Sequence, residues 1–165
     1  MSEFKQVFTI YSKPQSVNSL YYGNAKIKTQ AARDWSYKIF HQLSSPEDSK
    51  KFEVLRKSFD PKKHGYYVTM THYFPESVFY TKSGEISART QDITNVEKPL
   101  VDLLFLSKYF DKRPPYGMEN LNIDDKHLLT CVSNKLPING DEFKIEVEIS
   151  IVDHPVLSVP LPEDL

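Results

Sequence analysis

A single cysteine, five glycines, a formal net charge of −1 and no apolar run as long as a bilayer is thick set the first limits on this 165-residue chain. A lone thiol cannot close an intrachain disulfide. Cys131, beside Leu129 and Val132, reads as a buried thiol inside a strand, in a reducing compartment. None of the glycines falls in a phosphate-cradling pattern. The histidines at 41, 64, 72, 127 and 154 show no ligand spacing with the cysteine, which disfavours zinc chemistry. No charged stretch leads into an apolar one at the N-terminus, and no run nears the roughly 18 apolar residues of a spanning helix, so a soluble, cytoplasmic protein with no membrane partner is expected. The missing basic excess weighs against a nucleic-acid binder by total charge. Distribution tells another story, with positive charge gathered at Lys50, Lys51, Arg56, Lys57, Lys62 and Lys63, at Lys82 and Arg89, and at Lys108, Lys112 and Arg113. A solvated surface is the bland explanation for any one of these.

What the chain does have is enough apolar and aromatic content, 39% and 13%, to bury a core as one domain over residues 1–152, followed by a proline-rich tail over 153–165. The pattern predicts an α/β chain of the α+β type: a small mixed sheet of about four to five strands with two to three helices packed on it. Phe4 to Ile10 reads as a first strand, and 14–28 as a loop. Thr29 precedes a helix in which Ala32, Trp35, Ile39 and Leu43 recur at spacings of three and four. Residues 46–64 read as a charged insertion or extra helix, with Phe52, Leu55 and Phe59 at helical spacing. Residues 66–74 alternate with period two. A helix over 94–106 offers Val96, Leu100, Leu103 and Leu104 to the sheet. Strands over 128–133 and 143–151 follow, separated by Pro137 and the turn signal Asn139-Gly140-Asp141.

The chemistry-bearing residues cluster at the entrance of that third helix: Asp92, Thr94, Asn95, Lys98 and Asp102, with a second acidic pair, Asp124-Asp125, after a loop. Carboxylates are the ligands that hard divalent cations prefer. A metal so held activates water and stabilises charge in phosphodiester cleavage, and a nearby lysine can hold the phosphate. Asp92 and Asp125 are then the metal ligands, with Asp124 in reserve, and Lys98 is the cationic partner. Structural readings compete. Thr94 and Glu97 form a capping box, Asp92 suits a helix dipole, Lys98 and Asp102 are an i,i+4 pair, and Asp124-Asp125 suits a turn.

The joint pattern of Asp92, Asn95, Lys98, Asp102, Asp124-Asp125 and Lys135, with Pro99 directly after the lysine, resembles the RusA family of Holliday junction resolvases. The resemblance covers roughly residues 4–151 and includes the loop Pro14-Gln15-Ser16-Val17-Asn18 with Tyr21-Tyr22. One position departs from it, because Thr94 stands where the family pattern commonly has a second acid. A neutral hydroxyl is a poorer ligand.

The resemblance implies a homodimer that grips a four-way DNA junction and cuts opposed strands with magnesium, for which manganese can substitute. Its place would be the cytoplasm of a bacterial or phage-infected cell. Asp92, Lys98 and Asp125 would be catalytic, Thr94, Asn95 and Asp102 supporting, and Lys82, Arg89, Lys135, Lys62 and Lys63 would contact DNA phosphates. Two other readings stay open: a catalytically inactive junction-binding homologue, and a protein-interaction module on the same fold.

Overall fold

The computed structural model describes residues 4–16, 18, 21–22, 27–105 and 125–155, with 21–22, 27–28 and 125 described by backbone alone. Asp124, the basic residues Lys108, Lys112 and Arg113, and tail residues 156–165 lie outside the described residues. The expected mixed α+β architecture is what forms. A four-stranded sheet runs β1 (Lys5–Ile10), β6 (Lys144–Asp153), β4 (His64–Pro75), β5 (Leu128–Ile138) in spatial order. β6 is antiparallel to both β1 and β4, whereas β4 and β5 are parallel.

Period-two patterning becomes a one-sided core. Phe8 and Ile10 of β1, Tyr66, Val68 and Met70 of β4, and Ile145, Val147 and Ile149 of β6 are all buried in one cluster. Three helices cover that face. α1 (Gln30–Leu43) starts at Thr29, whose hydroxyl accepts from the Ala32 amide at 3.1 Å, and buries Trp35, Ile39, Phe40 and Leu43. α2 (Pro46–Ser58) resolves the ambiguity of the charged segment in favour of a helix. Ser45 caps it, Pro46 opens it, and Phe52 and Leu55 are buried, Phe52 stacking on Phe8 at 4.4 Å. A four-residue helix, α3 (Glu76–Phe79), follows β4 directly. α4 (Ile93–Phe105) lays Val96, Leu100, Leu103 and Leu104 on the sheet.

Three expectations need correction. The segment 14–28 is not all loop, because Tyr21–Tyr22 (β2) and Ile27–Lys28 (β3) pair antiparallel. β5 does not stop at Ser133 but runs 11 residues to Ile138, carrying Pro137 within it. A strand with its outer edge unpaired tolerates a proline, and β5 is the terminal strand of the sheet. Cys131 is half-buried, not fully buried. Burial, together with the neighbouring Glu97 carboxylate, pushes its thiol up to about 11, so it is an inert thiol.

α4 holds its register on the sheet through Leu100, which is fully buried. Leu100→Ala should cost about 2–5 kcal/mol in urea unfolding at neutral pH. A loss below about 1 kcal/mol would mean that α4 is not anchored there.

Candidate active-site cleft

At the end of the sheet where β4 stops, the chain turns through α3, a hairpin-like bend and a 3-10 turn (Ala88–Thr90) before entering α4. The residue between turn and helix, Gln91, has φ 60° and ψ 171°. That backbone region is essentially reserved for glycine, so Gln91 is a strained residue at the head of the motif. Lys135 of β5 holds it there. The ammonium donates to the Gln91 carbonyl at 3.0 Å and to the Thr90 hydroxyl at 3.0 Å.

This strained turn forms one wall of a polar cleft of about 510 Å³, lined by Ser16 and Asn18 of the N-terminal loop and by Ser87, Thr90, Gln91, Asp92, Asn95 and Lys135. Residues far apart in the chain therefore meet in one place. Asp92 sits just before α4, and its main-chain carbonyl accepts from the Asn95 amide at 3.0 Å. Among the described residues, neither the Asp92 carboxylate nor the Asn95 side-chain amide has a hydrogen-bond or ion-pair partner, so both are free for a ligand.

The competing structural readings fare unevenly. The capping box is overturned, because α4 begins at Ile93 and Thr94 lies inside its first turn, exposed. Glu97 turns to β5 instead, where it accepts a hydrogen bond from the Ser133 hydroxyl. The Lys98–Asp102 pair is present, with Nζ 3.3 Å from the Asp102 carboxylate. Lys98 is largely exposed on α4 and does not line the cleft. The cation that does line it is Lys135, which the sequence suggested only as a phosphate contact.

The two acidic positions are not united within one chain. Asp125 begins a 3-10 turn (Asp125–His127) that leads into β5 opposite Tyr66, at the start of β4. Lys135 pairs with His72 near the other end of the same strand pair. Seven residues of strand separate Leu128 from Lys135, roughly 23 Å at about 3.3 Å per residue. α4 spans the same gap, from the cleft to Phe105, which packs on Tyr66 at 5.6 Å. Among the described residues no group of three or more His, Cys, Asp or Glu side chains could hold a metal ion.

The proposed DNA-contacting residues divide in the same way. Lys82 is exposed in the turn near the cleft, and Arg89 donates to the Ser77 carbonyl at 2.9 Å and to the Ser87 hydroxyl at 3.2 Å. Lys62 and Lys63 are exposed in the turn before β4, at the Asp125 end, where Phe59 meets His127 at 5.5 Å. The basic character of α2 is partly offset from within. Lys57 pairs with Glu53, and Lys51 pairs with Asp48 at 3.2 Å and donates to the Val7 carbonyl at 2.8 Å.

Sequence reasoning missed His72. It neighbours Lys135 in register, on the helix-covered face, and is 1% exposed, with both ring nitrogens lacking a hydrogen-bond partner. The alternation of residues 66–74 sets His72 on the same face as the core residues Met70 and Phe74, but gives no sign that its ring nitrogens go without a partner. Burial lowers its pKa from 6.5 to about 4. The unfolded chain therefore binds a proton between about pH 6.5 and 4 that the folded chain does not, and stability falls with pH through that window. Urea unfolding should lose on the order of 3 kcal/mol between pH 7 and pH 4 from this group alone. His72→Leu should remove that part of the slope, and an unchanged slope would contradict a neutral buried imidazole. Replacing the strained Gln91 with glycine should raise stability by up to about 1 kcal/mol in the same assay, and a loss would mean that the turn carries no strain.

Among the described residues, no helix is long and apolar enough to cross a membrane. No family model and no curated protein sequence matches the chain.

Proposed function

We propose that this protein is a RusA-like, magnesium-dependent endonuclease that cuts four-way DNA junctions as a homodimer. The observation that carries the reading is the cleft, in which a free carboxylate (Asp92), a free amide (Asn95) and a pinned ammonium (Lys135) converge from separate parts of the chain. The helix-dipole reading of Asp92 suits its place just before α4 and leaves its carboxylate open to a ligand as well.

The donors in the cleft are oxygens, which suits a hard divalent cation such as magnesium or manganese. When bound, that cation supplies an activated water and stabilises the charge that develops on the phosphate. The chain's own groups do the rest. Lys135, fixed by two hydrogen bonds, presents one positive charge to a phosphate oxygen. Asp92 and Asn95 supply metal-binding or water-orienting oxygens from the first turn of α4. One carboxylate is too few for a tight magnesium site. Asp125, at the far end of β5, reaches such a cleft only from a second copy, so the reading takes each site as shared across a two-fold dimer. Thr94, exposed in the first turn of α4, leaves the missing acid to the partner.

The test uses a labelled four-way junction and a matched linear duplex, with magnesium and with EDTA. Wild-type protein should give paired, junction-confined nicks, and Asp92→Asn and Asp125→Asn should each reduce cleavage at least about 100-fold while leaving binding intact. The two variants, unfolded and refolded together, should recover about a quarter of the wild-type nicking, because half of randomly assorted dimers are mixed and each carries one intact site. No recovery would overturn the shared site. Junction binding with no nicks would make the protein an inactive homologue, and neither binding nor nicks would leave an interaction module.

A further inference from the structure

We infer that a second hollow, beside the Asp92 cleft, binds an unpaired guanine base, so that a single strand lying across the N-terminal loop is held by a base on one side and by a phosphate on the other. The inference rests on the nucleic-acid reading of the cleft for its substrate, and on separate residues for its chemistry.

β1 and β4 finish at the same end of the sheet, because His72 pairs with both Lys135 of β5 and Ile145 of β6, and Ile145 pairs with Ile10 of β1. A hollow of about 630 Å³ opens there, between the loop after β1, α1 and the turn before β6. Sites for small ligands have roughly this size, about 300–1,000 Å³. Gln15 lines the hollow and the next residue, Ser16, lines the Asp92 cleft, so the loop is a wall common to both. That wall is held in shape before any ligand arrives. The Lys13 carbonyl accepts from the Trp35 indole at 3.1 Å and from the Ser12 hydroxyl at 2.9 Å. Gln42 holds the Tyr11 backbone, accepting from its amide at 2.7 Å and donating to its carbonyl at 2.9 Å.

Ring surface and charges of both signs meet in this hollow. Phe143 is seated edge-on against the buried Phe74 ring at 5.9 Å, and the Lys13 ammonium stands over it, 5.1 Å from its centre. A flexible lysine gives up such a place readily, which leaves an aromatic face for a base to stack on. The cations, Lys13 and Lys38, come from the loop and α1, whereas the carboxylates of Asp141 and Glu142 come from the turn. Among the described residues Lys38, Asp141 and Glu142 have no hydrogen-bond or ion-pair partner. Asp34, by contrast, accepts from the Gln30 amide at 2.8 Å. A simple anion would be repelled by the carboxylates and a simple cation by the ammonium groups. A nucleotide suits both, with its phosphate for the lysines and an N–H edge for the acids. Ionised carboxylates only accept hydrogen bonds, and guanine is the base whose pairing edge sets two donors, N1–H and N2–H, side by side. Thymine flanks its one N–H with two carbonyls, which oppose a carboxylate.

Trp35 is the one tryptophan of the chain, so tryptophan fluorescence reports on this hollow. The full chain is titrated in EDTA with GMP, CMP, AMP and TMP. GMP should quench Trp35 saturably and bind at least about fivefold more tightly than TMP. Asp141→Asn combined with Glu142→Gln, both at exposed positions, should erase that preference, and Phe143→Ala should weaken GMP at least about fivefold. A dT oligonucleotide carrying one guanine should bind more tightly than plain oligo-dT. No response of Trp35 to millimolar GMP, or a preference that survives the double substitution, overturns the guanine site. GMP binding with no preference for the guanine-bearing oligonucleotide overturns its place on the strand. The junction assay is read separately on the same samples. Nicks from a protein whose Trp35 ignores GMP would retain the nuclease and reject this hollow, and GMP binding without nicks would retain the hollow and reject the nuclease.

Discussion

Parallel pairing of β4 with β5 is the constraint from which the rest of the molecule follows. Two parallel neighbours cannot be joined by a tight turn; the chain must return along the whole sheet before the second strand begins. α4 makes that return, and its apolar stripe of Val96, Leu100, Leu103 and Leu104 is what makes the return stable. The same crossover decides where chemistry can happen. Whatever precedes α4 stands at the end where β4 finishes, and whatever precedes β5 stands at the end where β4 starts. Asp92 and Asp125 therefore part company because the connection is a crossover, and the acidic motif is divided between the two ends of the sheet.

Around Asp92, strain and electrostatics reinforce each other. Gln91 adopts a glycine-like conformation that turns Asp92 and Asn95 toward the cleft. Lys135 binds the carbonyl of that residue, and His72 lies next to Lys135 in the sheet, with its low pKa, raised by nothing and lowered by burial, keeping it neutral at ordinary pH. A charged imidazole there would stand close to the ammonium in a poorly solvated place. The neutral ring leaves Lys135 as the cation at the base of the cleft.

The regular elements were legible in the sequence wherever a period ran long enough. The alternation from Ile145 to Ile149 and from Tyr66 to Phe74, and the three-and-four spacing from Ala32 to Leu43, each fix both an element and its buried face. β5 was harder. Proline reads as a strand ender, and only the knowledge that β5 is an edge removes the objection to Pro137. Thr94 and Glu97 misled for a related reason: the spacing suits a cap, but Glu97 is drawn away by Ser133 on a strand 36 positions distant. In the candidate site, the residues that matter were named from the motif, while their roles depended on topology. The motif names Lys98 as the cationic partner and Lys135 as a phosphate contact. A helix face that turns Lys98 toward Asp102, and a strand end that turns Lys135 toward Gln91, separate them.

The near-neutral charge is the strongest argument against a DNA enzyme, and the division of the basic residues bears on it directly. Lys51 and Lys57 are engaged with acids on α2, so they contribute little field. Lys82 stands at the Asp92 end of the sheet, and Lys62 and Lys63 stand at the Asp125 end. Phosphate attraction depends on charge within about 10 Å at ordinary ionic strength, not on the total, so each basic group acts on its own end of the chain and the net charge of −1 decides neither.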